Sequence, residues 1–358
     1  MTRDVRMHNP THRYNTTGES GPTDTPSVQW SYELDTAVQK IAVWDGQVYV
    51  TRGDGSISVL DTDGNPQWRF QTDRTDRSVE SSPAVVDGRV YIGSPDNHIY
   101  ALEAASGTER WSFQTDGPVN SPPAVVNETV YVGSRNIIAD GNDHIYALDA
   151  DSGTERWSTQ ANGGIHSSAA VIYGTVYIGA SDGTDHNNNL VSALEAATGT
   201  ERWSFQTDGR VELSPVVVDG TVYIGDSDGN VYALESASGT KRWSFQTTGI
   251  MMSPAVVDGV VYVGGSFSSG IHALDATFGS KNWSFQVDGE VESSPTVADG
   301  TVYVGSHELF GDAHIYAINT TDGTEQWHFE TDGQVTSPVV KDGRVYVAGG
   351  DTVYALGE

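Results

Sequence analysis

Five polar side chains stand at intervals that a repeating chain would gather into one ring. They are Glu80, Asn120, His166, Glu212 and Glu292, spaced 40, 46, 46 and 80 residues apart. Carboxylates, an amide and an imidazole around one centre would suit a hard cation or a polar ligand. Glu80, Glu212 and Glu292 are the candidates for a metal. The same residue types also suit a wet channel mouth, where polar groups simply avoid burial. A second set, Asp143 and His144, Asp185 and His186, and Asp312 and His314, falls in longer loop-like stretches. Loops carry function on rigid scaffolds. No two of these side chains have a diagnostic ligand spacing, so solvated turns account for them equally. With no cysteine there is no disulfide, thiolate site or cysteine nucleophile. No strand-to-helix glycine fingerprint and no serine nucleophile elbow appears.

The charge narrows the partners. Asp+Glu number 48 against 19 Lys+Arg, a formal net charge of −29. Gripping a nucleic-acid backbone needs clustered cations, so nucleic acid is excluded as a partner. Docking on an anionic membrane is disfavoured for the same reason. No apolar stretch approaches the ~20 residues of a membrane helix, so no membrane insertion is expected. Asp outnumbers Glu 31 to 17, and only 4 of the basic residues are Lys. Such dispersed acidity is tolerable where salt screens it, the Debye length being ~3 Å at 1 M. A halophilic, archaeal source is the expectation. Met1 to Gly21 contain no apolar signal core. The chain as written is expected to be cytoplasmic and monomeric, and exported or cell-surface if a native leader is missing.

The elements that must position these residues are read from internal repetition. From Trp30 onward the repeat tryptophans Trp30, Trp68, Trp111, Trp157, Trp203, Trp243, Trp283 and Trp327 lie 38, 43, 46, 46, 40, 40 and 44 residues apart. Periods near 40 to 45 belong to propellers. Each unit reads as four short strands. Ser82-Pro83-Ala84-Val85-Val86 leads through an Asp87-Gly88 hairpin signal into Val90–Gly93, then Ile99–Leu102, then Arg110–Gln114. In the last strand Trp and Phe share one face, the period-two pattern of a half-buried strand. The eighth unit ends without a fourth strand, and a spare one, Val28–Tyr32, stands at the other end of the chain. The predicted fold is all-β, an eight-bladed β-propeller of four-stranded antiparallel blades, with the N-terminal strand completing the last blade and closing the ring. Residues 1–26 read as a flexible leader and 27–358 as a single propeller. The blades fall at about 35–72, 78–115, 118–160, 164–207, 210–247, 249–287, 290–331, and 334–357 with 28–33. The ninth tryptophan, Trp44, replaces a strand valine and reads as core.

The stretch Ala101-Leu102-Glu103-Ala104-Ala105-Ser106-Gly107-Thr108-Glu109-Arg110-Trp111 resembles the tryptophan-docking motif, Ala-x-Asp-x-x-x-Gly-x-x-x-Trp, of quinoprotein-type (PQQ-like repeat) propellers. Copies at Ala147–Trp157, Ala193–Trp203, Ala233–Trp243 and Ala273–Trp283 are similar, with Glu for Asp at Glu103, Glu195 and Glu235. The resemblance implies that each indole packs between neighbouring blades. The family has a catalytic branch, the PQQ-dependent dehydrogenases, with long loops, Ca²⁺ or a lanthanide and often a vicinal disulfide. Its non-catalytic branch includes the propeller lipoprotein of the outer-membrane barrel-assembly machinery. Short inter-blade loops and the missing cysteine pair favour the non-catalytic branch. A non-enzymatic scaffold is therefore expected, binding a protein or small-molecule ligand through the face that carries the channel mouth and the long loops, with no cofactor. The alternative is a PQQ-dependent dehydrogenase, or a degenerate quinoprotein, with PQQ and Ca²⁺ at the mouth.

Overall fold

A computed structural model describes residues 19–358 apart from 75, 136–142, 162, 182–188, 248, 250, 251, 266–269, 292 and 309–311. The first-to-second strand turns set its geometry. A tight hairpin turn of the kind that matches strand twist needs positive φ at both central residues. Asp87 and Gly88 adopt φ 48° and 74°, and Asp45, Asp219, Asp258, Asp299 and Asp342 lead the same turn before a glycine. In blades 2 to 8 the turn folds a three-residue inner strand onto a longer second one, while in blade 1 the inner strand is Val38–Trp44. In blade 2 the order is Ala84–Val86, Arg89–Gly93, His98–Glu103 and Glu109–Gln114, all antiparallel.

Eight such sheets form, and no helix occurs among the described residues. The first strands of neighbouring blades pack side by side from blade 2 through blade 8 to blade 1, so they surround the axis. In blade 8 the strand Ser27–Glu33 pairs with Thr352–Gly357 and supplies the fourth strand. Blade 7 carries an additional two-residue strand, Glu290–Val291, on Ser306 and His307.

The core is a series of layers between blades. Tyr91, Ile99 and Trp111 of blade 2 pack on Val130, Val132 and Leu148 of blade 3, and the pattern repeats around the ring. The motif explains itself here. Gly107 has φ 69° and sits against the Trp68 ring, where an added Cβ would lie 2.4 Å from the indole. Trp68 Nε1 donates to the Ala104 carbonyl in that same turn at 2.8 Å. A tryptophan buries ~150–250 Å², worth up to about 4–6 kcal/mol of transfer energy per joint. Trp44 is partly buried against the layer between blades 1 and 2.

The flexible leader expected over residues 1–26 is corrected from Glu19 onward. Pro22 and Pro26 are buried, and the Pro22 carbonyl accepts from Trp327 Nε1 at 3.0 Å. Glu19 pairs with Lys341 and accepts from the Asp342 amide at 2.9 Å. The segment is held because blade 8 has no third-to-fourth turn to offer Trp327.

Candidate functional site

Strand direction assigns the two faces. Second-to-third loops and the loops between blades share one face, shown by His144 Nδ1 at 3.2 Å from Asp116 Oδ2 and by the Asp73 amide donating to Asp96 at 3.0 Å. First-to-second and third-to-fourth turns share the other. There the Ala104 amide donates to Gly88 and the Ala196 amide to Gly174, both at 2.9 Å.

On the first face the inner strands open into a cavity of about 370 Å³. Glu80, Asn120, His166 and Glu212 line it from four consecutive blades, with Lys40 from blade 1. Two residues further along the inner strands, Ser82, Ser168, Ser214, Ser253, Ser294 and Ser337 line it from six blades. The wall is stapled between blades. The Ser168 amide donates to Ser214 Oγ at 2.9 Å, and the Ser214 and Ser294 amides to Ser253 and Ser337 Oγ, both at 3.0 Å. The mouth is thus a fixed frame, a layer of serine hydroxyls with Glu80, Asn120, His166 and Glu212 standing beside it.

Electrostatics differ around this frame. Burial lowers the His166 pKa below its ordinary value, and Arg135 and Arg210 push the same way, while Glu212 and Asp143 oppose them. His166 is therefore a neutral imidazole at pH 7, a donor and an acceptor at once. Glu212 lies 3.5 Å from Arg210 Nη1 in a half-exposed pair, a weak surface interaction. The Asn120 side-chain carbonyl oxygen is shielded from solvent and has no hydrogen-bond partner. Such an orphaned acceptor would gain from a ligand N–H or a cation.

A second cavity of about 410 Å³ adjoins the first and shares Glu80 and Asn120. Arg77 and Arg135 line it, with Asp76 and Ser78. Sequence reasoning did not single out these two arginines. The available signal was the scarcity of cations, 19 in the whole chain, with Arg77 between blades 1 and 2 and Arg135 in the long second-to-third loop of blade 3.

The other sequence candidates are not in the cavity lining. Asp143 is buried, and its backbone carbonyl accepts from the Ala161 amide at 2.7 Å. His144 opens the third strand of blade 3, held by Asp116 and stacked near Tyr146. Asp312 is exposed at the start of the same strand in blade 7, and its carbonyl accepts from the Glu308 amide. His314 packs against Tyr316 and His328 on that blade. Glu292, Asp185 and His186 lie outside the described residues. Among the described residues no three His, Asp or Glu side chains converge as ligands of one metal ion.

The comparisons with known proteins agree with this frame. A family model described as outer membrane protein assembly factor BamB matches residues 22–83, 74–186, 184–254 and 247–358. Outer membrane protein assembly factor BamB from Xanthomonas campestris is 32% identical over 81 residues, 20% of this chain and 20% of that protein. The curated relatives it matches are spanned over only 12–20% of their own lengths. The structure is similar to that of BamB from Moraxella catarrhalis, with a TM-score of 0.72 and 21% identity over 93% of this chain and 100% of that one. It is also similar to a europium-containing methanol dehydrogenase, with a TM-score of 0.81 and 14% identity over 99% and 98% of the two chains.

Proposed function

Because the chain belongs to the family described as outer membrane protein assembly factor BamB, we propose that it is a non-enzymatic scaffold engaging a protein or polar ligand through its channel-mouth face. One observation carries this reading. Glu80, Asn120, His166 and Glu212 occupy corresponding places in successive blades, face one cavity, and differ in chemistry. A ring with no partner would have no reason to diversify the positions that its blades otherwise repeat. Binding sites favour concave, preformed places with a few convergent polar groups.

The second reading is a quinoprotein dehydrogenase. It is favoured by the oxygen donors of Glu80, Asn120 and Glu212 around the mouth. The two readings part under one experiment. Protein purified in molar salt is analysed for metals, for quinone absorbance and for quinone-dependent alcohol or sugar oxidation. The scaffold reading expects no turnover, and expects photo-cross-linking from position 166 to capture one partner that Glu80→Gln with Glu212→Gln releases. Quinone absorbance with a stoichiometric cation lost in Glu212→Gln would replace it with the dehydrogenase.

A further inference from the structure

The face opposite the mouth carries two aromatic side chains that neither fold nor turn requires. At the first position of the hairpin turn, seven blades have Asp or Asn, residues that tolerate positive φ. Blade 4 has Tyr173, at φ 47°. A bulky side chain in that conformation is strained. Its ring is 89% exposed, so packing returns nothing.

Phe278 repeats the anomaly in blade 6. The corresponding position of the third-to-fourth turn is Ser106, Ser152, Thr198, Ser238 or Asp322 in other blades, and each bonds within its turn. Ser152 Oγ donates to Asp149 at 2.9 Å and Ser238 Oγ to Glu235 at 2.7 Å. Phe278 gives up that bond and is 76% exposed. The two rings stand on one face with blade 5 between them. Among the described residues they are the two most exposed large hydrophobics.

The surroundings name the occupant. The equivalents of Tyr173 in other blades put carboxylates on the same face, at Asp45, Asp87, Asp219, Asp258, Asp299 and Asp342. Arginines there are already engaged, Arg89 by Asp151 and Arg202 by Glu195. A second copy would bring carboxylates against carboxylates. Arginine satisfies both features, since its guanidinium pairs with carboxylates and stacks on aromatic rings. We propose that this face docks an arginine-rich segment of a partner protein, with Tyr173 and Phe278 as its aromatic anchors.

The test uses the full chain and a fluorescein-labelled nona-arginine peptide, about 30 Å long when extended, read by anisotropy. Tyr173→Asn with Phe278→Ser removes both rings at constant charge. The peptide's affinity should fall about tenfold or more, and the difference should persist in about 1 M KCl, where carboxylate attraction is screened. Asp73→Asn, in an inter-blade loop on the other face, should leave the affinity unchanged. Tyr173→Asn alone should hold or raise the melting temperature, because asparagine accepts the turn. Equal affinity in the double variant would mean that diffuse acidity holds the peptide, and would overturn the proposal. A fall in melting temperature would make Tyr173 structural, and self-association abolished by the variant would make the occupant a second copy. Either result overturns the assignment as well.

Discussion

Seven of the eight tryptophan joints and the eighth make the same contact by different means. Trp111 Nε1 reaches the Ala150 carbonyl of the next blade, 39 residues on, and Tyr91 shares that acceptor. Trp243 and Tyr223 share Ala276 in the same way. Trp327 and Tyr303 share the Pro22 carbonyl, 305 and 281 residues away. The rings keep one spacing, 5.9 Å between Tyr91 and Trp111 and 5.8 Å between Tyr303 and Trp327. The geometry is therefore conserved while its source changes from a covalently neighbouring turn to the far end of the chain. Repeat joints form locally. The eighth forms only when the whole ring has been assembled, so closure carries the long-range entropy cost of the fold.

The largest test removes the closing segment. A chain beginning at Leu34 loses the strand on Thr352–Gly357 and the cap on Trp327 together. It leaves an unpaired sheet edge, which invites pairing with another chain. We expect self-association beyond that of the full chain by size-exclusion chromatography and a broad, early thermal transition. An unchanged size and melting temperature would show that the eighth joint is dispensable.

A smaller test separates cap from strand. Removing residues 1–25 keeps Ser27–Glu33 but leaves two buried donors, Trp327 Nε1 and the Tyr303 hydroxyl, without their acceptor. Unsatisfied buried donors cost about 1–3 kcal/mol each. Trp327→Ala in the full chain should cost about 3–5 kcal/mol, as should Trp243→Ala. The two joints then diverge in a double-mutant cycle. In the shortened chain Trp327→Ala should cost about 1–3 kcal/mol less than in the full one, while Trp243→Ala should cost the same. Additivity at both positions in urea unfolding would remove Pro22 from the joint.

What the sequence revealed follows this division. Blades, strands and tryptophans were legible because each is written several times, and the missing fourth strand of blade 8 pointed to Val28–Tyr32. The cap was not legible because a backbone carbonyl does its work. Pro22 has no side-chain signature, and it stands among Thr, Gly and Pro residues that read as a leader. The mouth residues Glu80, Asn120, His166 and Glu212 were legible as departures from a repeat. Arg77 and Arg135 were not, since one lies between blades 1 and 2 and the other in a second-to-third loop, so no repeated position links them. Asp143, His144, Asp312 and His314 looked like loop ligands by composition. The structure uses them at the starts of third strands, where neighbouring backbone and rings decide their surroundings.

Glycine substitution sharpens the contrast further. Gly107→Ala would place a Cβ in a left-handed conformation, costing about 1–2 kcal/mol, and 2.4 Å from Trp68. Overpacking adds about 1–3 kcal/mol. Gly21→Ala meets the Tyr303 hydroxyl at 2.4 Å without positive φ, so only the overpacking part, about 1–3 kcal/mol, should appear. Urea midpoints of the two variants give the order. Equal losses would mean that the cap has the same backbone demands as a repeat turn.

The smallest effect expected is one of pH. The eighth joint contains an ion pair that links chain ends, between Glu19 and Lys341, with the Asp342 amide donating to the same carboxylate. Burial alone would raise the Glu19 pKa, but the Lys341 hydrogen bond, the Asp342 amide and the Lys341 charge together leave it lowered. A carboxylate with a depressed folded-state pKa stabilises the fold above its unfolded value, ordinarily near 4.5. That contribution is lost as the pH falls through the folded value. Acid below about pH 4 should therefore loosen the cap before the repeat joints. Hydrogen exchange at the Trp327 indole should quicken relative to the Trp243 indole, after correction for the intrinsic acid dependence of exchange. Glu19→Gln should abolish the difference between pH 6 and about pH 3.5, because no proton is then taken up on opening. Parallel acid responses at the two indoles would place the weak point elsewhere in the ring. A quickening confined to Trp327 would identify closure as the joint that loosens first in acid, through Glu19 and its pairing with Lys341.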